Sequence, residues 1–242
     1  MEAGVPRSPD PVEHWDTVYE GREPGVLPDD DAVGLAALAH YGPIEGARLL
    51  DLGCGTGEYS RFFARHGALV IAVDRSEVAV STLRDRCEAD GITTVEPVAA
   101  EAFELASLGQ FDFVFGSGIL HHLDYDKAMS ELRRVLKPGG IVLFTEPLGH
   151  NPAIEFYRKR TPEARTPDEH PLLVPDFRKF DATFEKTDVR LYGLTSLGSV
   201  LFRKTPLLGP VRAIGAAVDS VLLRIPGLKW WAWYALMEGR RA

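Results

Sequence analysis

Dense apolar runs alternate with amphipathic stretches through the middle of the chain. The apolar runs predict strands over 47–51, 69–73, 93–98, 111–116 and 140–145. Between them, helical spacing predicts helices over 58–66, 76–89 and 126–136. In the first of these, Tyr59, Phe62, Phe63 and His66 recur at three- and four-residue steps. Strands alternating with helices in this way describe a parallel sheet covered on both faces. "LKPGG" at 136–140 stops one helix and starts the next strand.

The flanks read differently. Residues 1–30, rich in proline and acids, predict an irregular arm with a short helix around "VEHWDTVYE", and "DAVGLAALAHY" predicts a helix over 31–41. Residues 31–242 are expected to form a single domain, with insertions at about 147–180 and 196–228. The first insertion is rich in proline and charge to about residue 177, with a short helix at 152–160. After a strand at about 184–192 comes an amphipathic helix over 207–225, carrying Leu207, Val211, Ile214, Val218, Val221 and Ile225 on one stripe. "KWWAWYALMEG" predicts the last strand.

The strand-to-helix turn "DLGCGTGEYS" at 51–60 poses the chemical question. Gly53, Gly55 and Gly57 permit positive φ and close approach of a ligand to bare backbone, in front of a helix N-terminus. A phosphate-binding P-loop needs Lys-Ser or Lys-Thr after the last glycine, where Glu58-Tyr59 stand. A dinucleotide fingerprint needs GxGxxG; here the spacing is GxGxG and Glu58 takes the place of the third glycine. A carboxylate there repels a pyrophosphate. A ligand with an amino-acid part and a ribose remains. Asp51, ending the first strand, suits an ammonium group. Asp74, ending the second, suits the two ribose hydroxyls. That ligand is S-adenosylmethionine.

Composition narrows the classes. A formal charge of −8 argues against a nucleic-acid partner. Cys54 and Cys87 form no CxxC pair or disulfide framework, which fits a reducing cytoplasm. The polar, Pro-rich start predicts no signal peptide, and no apolar run reaches the roughly 18 residues of a membrane span.

"LLDLGCGTG" (49–57), "VD" (73–74), "FDFVFGSGILHHL" (111–123) and "LRRVLKPGGIVLFTEP" (132–147), in this order, resemble the class I S-adenosylmethionine-dependent methyltransferases. The resemblance is to the small-molecule branch related to ubiquinone and menaquinone biosynthesis. It implies an α/β, Rossmann-like, seven-stranded and mostly parallel sheet with an antiparallel last strand, helices on both faces, and helical insertions on the acceptor side. It further implies that Gly53, Cys54, Gly55 and Gly57 underlie the cofactor, that Asp51 serves its methionine end and Asp74 its ribose, and that Ser117 and Gly118 lie near the methionine. The family often has an aspartate after the third strand to bind adenine. This chain has Ala99 there, so Glu101 or backbone groups at Ala100, Glu101 and Ala102 are the substitutes.

Methyl transfer to a hydroxyl needs a group to take the proton. The candidates are His121 and His122 after the fourth strand, and Glu146 and His150 after the fifth, with His150 first; each also reads as a hydrogen-bonded structural residue. His14, Trp15 and Tyr19 on the arm resemble the family's lid, and Tyr157 and His170 complete the acceptor-side candidates, near Asp168 and Glu169. Dispersed His and Glu with no short ligand spacing predict no metal. The aromatic end, with Trp230, Trp231 and Trp233, reads as core, as the wall of an apolar acceptor pocket, or as a homodimer face. The expected activity is O-methylation of a small organic acceptor. C- or N-methylation, and a cyclisation on the same fold, stay open; a nicotinamide dehydrogenase is disfavoured by Glu58. No "NPPY"-type loop follows the fourth strand, which excludes the amine-methylating DNA and glutamine enzymes.

Overall fold

The structure, a computed structural model, describes residues 11–21, 25–161 and 169–242, with Pro11 and Tyr157 described by backbone alone. Seven strands form one sheet: β1 (Arg48–Leu52), β2 (Leu69–Asp74), β3 (Val95–Ala99), β4 (Phe111–Ser117), β5 (Leu136–Pro147), β6 (Lys186–Tyr192) and β7 (Tyr234–Arg240). Their order is β3-β2-β1-β4-β5-β7-β6. Strands β1 to β5 pair in parallel, and β7 runs antiparallel to both β5 and β6. The chain winds outward in one direction from β1 and then in the other from β4, so the loops after these two strands diverge and leave a crevice.

The period-two geometry of strands sorts the core. Leu50, Val114 and Val142 face one layer, built from α5 (Tyr125–Val135) and α7 (Val174–Thr183) through Met129, Leu132, Phe177 and Phe180. Leu49, Phe115 and Leu143 face the other, built from α2 (Ala32–Tyr41), α3 (Glu58–Arg65) and α4 (Glu77–Ala89) through Tyr41, Phe62, Phe63 and Leu83. The remaining helices are α1 (Pro11–Tyr19), α6 (Pro152–Arg160) and α8 (Leu208–Leu222).

Four expectations need correction. Helix α7 occupies part of a stretch read as irregular; its Pro175 lies in the first turn, where proline starts a helix instead of breaking one. Strand β5 begins at Leu136, because Leu136 already pairs with Phe111 across a register shift. Trp230 and Trp231 lie in a 3-10 turn over Leu228–Trp231, and the last strand starts only at Tyr234. The apolar stripe of α8 faces solvent, while Gly215 and Asp219 are the buried positions of that helix.

Asp219 explains how α8 is held. Its carboxylate accepts from the backbone N–H groups of Leu194, Thr195 and Ser196 and from both hydroxyls, Thr195 Oγ1 at 2.7 Å and Ser196 Oγ at 2.5 Å. Gly215 lets the helix backbone close on Ser196, whose Cα lies 2.5 Å from where a Cβ would stand. Burial alone would raise the Asp219 pKa, but the Ser196 and Thr195 hydrogen bonds outweigh it and hold the group below the usual carboxylate range. Its stabilising effect is therefore present above the ordinary carboxylate pKa and is lost as pH falls through the depressed one. Replacing Asp219 by Ala is expected to cost about 2–4 kcal/mol locally, since five donors lose their acceptor. Hydrogen exchange is the check: residues 194–222 should lose protection while β1, β4 and β5 keep theirs, and unchanged protection of 194–222 would refute the clamp.

Candidate cofactor and acceptor site

The turn after β1 is shaped by its own hydrogen bonds. The N–H groups of Gly53 and Cys54 both donate to Val73 O, Gly57 N–H donates to Cys54 O, and Gly55 N–H donates to Asp74 Oδ2 at 2.8 Å. Four loop donors are thus satisfied within the protein and none of them is free to cradle a phosphate. The glycines serve conformation and packing. Gly53, Gly55 and Gly57 have φ of 69°, 51° and 80°, and a Cβ on Gly57 would stand 2.1 Å from Leu83 Cδ1. At the N-terminus of α3, Glu58 accepts from Thr56 Oγ1 and from the Gly25 N–H, so a carboxylate already occupies the helix's positive end.

Asp74 joins the parts. Its Oδ1 accepts from Ser76 N–H at 3.0 Å while Oδ2 holds Gly55. Ser76 caps α4 by accepting from Ala79 N–H and donates its hydroxyl to Asp16 of α1. Helix α1 thereby lies over the loop, with Tyr19 Oη placed where a Cβ on Gly55 would meet it at 2.9 Å. Asp51 is buried beneath the same loop and accepts from Ser60 Oγ at 2.5 Å. Burial is the main force pushing its carboxyl up to about 7; the Ser60 hydrogen bond opposes the rise and the Asp74 and Glu58 charges add to it. Burial raises Asp74 as well, against the hydrogen bonds from Ser76 and Gly55.

A cleft of about 100 Å³ opens at the carboxyl ends of β1, β2 and β4, at the crevice the strand order creates. Of the sequence candidates, Gly53, Asp74, Ala100, Glu101, Ala102, Ser117, Gly118, Trp15, Tyr19 and His122 line it. Sequence reading missed Arg75, Leu52, Val73, Ile119 and Leu123, which also line it. Arg75 was findable as the neighbour of Asp74; its Nη2 donates to Glu101 at 3.1 Å. The apolar wall residues gave no signal beyond belonging to strand ends.

The remaining candidates lie elsewhere. Asp51, Cys54, Gly55 and Gly57 are buried and do not line the cleft. His14 packs edge-on against Trp15 with ring centroids 5.5 Å apart. Glu146 is fully buried, accepting from the backbone N–H groups of Ile119, Leu120 and His121 and from His121 Nδ1 at 2.7 Å. It fixes the 119–121 turn from below and does not join the cleft. His121 is buried with it. His150 Nε2 accepts from Val174 N–H at 3.0 Å and so serves the start of α7. His170 is exposed and donates its backbone N–H to His121 O. The Tyr157 side chain and Asp168 lie outside the described residues. His122 alone of the four proton-transfer candidates lines the cleft, its ring 5.2 Å from Trp15 in an edge-to-face contact.

The donor set fits an adenosyl sulfonium ligand better than a phosphorylated one. The loop N–H groups named above are committed, Arg75, the one arginine among the described lining residues, pairs through Nη2 with Glu101, and Asp74 and Glu101 are the acids that line the cleft. These features define the class: a doubly wound α/β domain with a cleft at the switch point of the sheet and, among the described residues, no phosphate cradle.

Comparison with known proteins carries this further. The family described as "Methyltransferase domain" matches residues 50–144. The ubiquinone biosynthesis O-methyltransferase of Rhizobium etli is 36% identical over 102 residues, covering 41% of this chain and 41% of that protein. The chain thus spans well under half the length of this curated relative in the match. Among solved structures, phosphoethanolamine N-methyltransferase 2 of Haemonchus contortus, in complex with S-adenosyl-L-methionine, aligns with a TM-score of 0.60 at 23% identity, over 86% of this chain and 52% of that one. A protein solved for the conversion of a disulfide bond into a thioacetal group during echinomycin biosynthesis aligns with a TM-score of 0.60 at 26% identity, over 95% and 92%. Residues 50–144 thus match a methyltransferase-domain family and are similar to ubiquinone biosynthesis O-methyltransferases, in keeping with the resemblance carried by the sequence motifs.

Replacing Glu146 by Gln removes one of two accepting oxygens and points an N–H₂ group at backbone donors. A loss of about 2–4 kcal/mol in chemical unfolding is expected, with the 117–122 turn disordered first. A variant as stable as the parent would refute the buried clamp.

Proposed function

We propose that the chain binds S-adenosylmethionine in this cleft and transfers its methyl group to a small organic acceptor, with oxygen as the methylated atom. One observation carries the reading: the glycine turn spends its N–H groups on the protein while the carboxyl groups of Asp74 and Glu101 line the cleft. When bound, the cofactor supplies a methyl group on a sulfonium already activated toward displacement. The protein's share is alignment and exclusion of water.

In this reading Asp74 accepts from the ribose hydroxyls with the lone pairs that Gly55 and Ser76 leave free. Ala100, Glu101 and Ala102 form the adenine side, and Ser117 and Gly118 the methionine side. Trp15 and Tyr19 roof the cleft and keep water out. His122 takes the proton of a hydroxyl acceptor, because it is the sequence-identified base that reaches the cleft wall. Glu146 and His121 act through the turn that carries His122, as positioning residues. The free, buried cysteines Cys54 and Cys87 suit a cytoplasmic site of action. The acidic chain disfavours nucleic acid as acceptor.

Calorimetric titration with S-adenosylmethionine, S-adenosylhomocysteine and NAD tests the cofactor. Both adenosyl ligands should bind and NAD should not, and Asp74→Ala should weaken binding by about 10- to 100-fold, the range for losing a charged hydrogen-bond acceptor. Failure of folded protein to bind either adenosyl ligand would refute the reading. Once an acceptor turns over, His122→Ala should lower kcat by about 10²-fold or more with cofactor affinity unchanged, while His150→Ala should chiefly lower thermal stability. The reverse pattern would return the base to His150.

A further inference from the structure

Segment 193–233 leaves the carboxyl end of β6 and returns to the start of β7, where Tyr192 and Tyr234 pair and Trp233 N–H donates to Gly193 O. It is the part of the chain with the strongest contradiction between composition and placement. Down α8 and its flanking turns, Leu207, Ile214, Val218, Val221 and Ile225 form one stripe at helical spacing, and the stripe is open to solvent, Ile214 at 66% and Val221 at 62% exposed. Leu201, on the 3-10 turn that α8 packs against, is 86% exposed. An exposed apolar face of this kind on a soluble domain marks a docking surface.

The charges around it select the occupant. Within 193–233 the basic residues are Arg203, Lys204, Arg212, Arg224 and Lys229, and the one acid is Asp219. Asp219 is buried and committed to Thr195 and Ser196. Arg203, Lys204, Arg212 and Arg224 are exposed, and Lys229 lies over the Trp230 ring at 4.8 Å. The exposed surface of this segment is therefore apolar and basic, with Arg224 beside Val221 and Ile225 and Arg212 on the far side of α8 by helical spacing, on a chain whose formal charge is −8, with the acidic excess residing elsewhere. A second copy of the chain would set these arginines and lysines against their own kind with no exposed acid in the segment to pair them. An anionic lipid surface satisfies both features, taking the apolar stripe among its acyl chains and the cations among its headgroups, with Trp231 at 46% exposure suited to the boundary.

We infer that α8 and the turns beside it dock the protein on the surface of an anionic bilayer, without spanning it. No helix among the described residues is long and apolar enough to cross a membrane. Because the segment springs from the carboxyl end of β6, the docked face lies at the same end of the sheet as the cleft. The inference needs neither cofactor nor turnover and stands apart from the methyl-transfer reading.

Flotation of the full chain with phosphatidylcholine vesicles, with and without phosphatidylglycerol, tests it. The protein should float with the anionic vesicles, release at high salt, and bind the zwitterionic ones at least tenfold less. The double variant Ile214→Asp with Val218→Asp should lose binding, as should Arg203→Glu with Lys204→Glu, each with an unchanged circular dichroism melt because these positions are exposed. In the unsubstituted protein, brominated lipid should quench tryptophan fluorescence and Trp231→Phe should reduce that quenching. Absence of flotation with anionic vesicles would overturn the inference, as would flotation unaffected by the folded double variants. A parent protein that ignores vesicles but sediments as a dimer, with the aspartate variants monomeric, would assign the face to a second copy instead.

Discussion

One carboxylate links most of what matters in the site. Asp74 ends β2 and accepts from Gly55 and Ser76 at once, so the loop after β1 and the start of α4 are fixed to the same point. Ser76 passes the link to α1 through Asp16. A buried acid raised by desolvation and held by backbone donors is a costly feature. Its position between the loop and the open cleft gives that cost a use. The group that shapes the loop is also the acceptor the cleft presents, and the roof helix is anchored to its neighbour.

Glu146 does the corresponding work on the other side of the crevice. It is a carboxyl group with no solvent access, and three backbone N–H groups and an imidazole surround it. A turn tied at consecutive residues has little freedom, which holds Ser117, Gly118 and His122 in fixed relation to Asp74. The two carboxylates together make the cleft a rigid frame between two divergent loops. The methyl-transfer reading asks for just such a frame, since its chemistry depends on alignment more than on proton movement.

The insertion between β6 and β7 follows a different logic. It is stapled by Asp219 and Gly215 to its own first turn and otherwise presents apolar side chains outward. Its polar interactions face inward and its hydrophobic ones outward, the reverse of a globular core, and its exposed charges are of one sign. A surface arranged in this way is built for an environment other than water.

The sequence by itself determined the sheet and the loop. Apolar runs and helical spacing are local signals, so β1 to β4, α3 and α4 were legible, as was the choice against phosphate, which needed only Glu58 beside three glycines. Asp74, Ala100 to Ala102, Ser117 and Gly118 were legible as candidates because strand ends fix where they emerge. The tertiary structure decided which ionisable groups reach the cleft. Glu146, His121, His122 and His150 look alike in sequence, and their separation into wall, clamp and cap depends on backbone donors brought from other elements. It also decided which way the stripe on α8 faces. Periodicity gives a helix two faces but not their neighbours, and here the buried partner of the helix is a pair of residues, Gly215 and Asp219, that no hydrophobic pattern could single out.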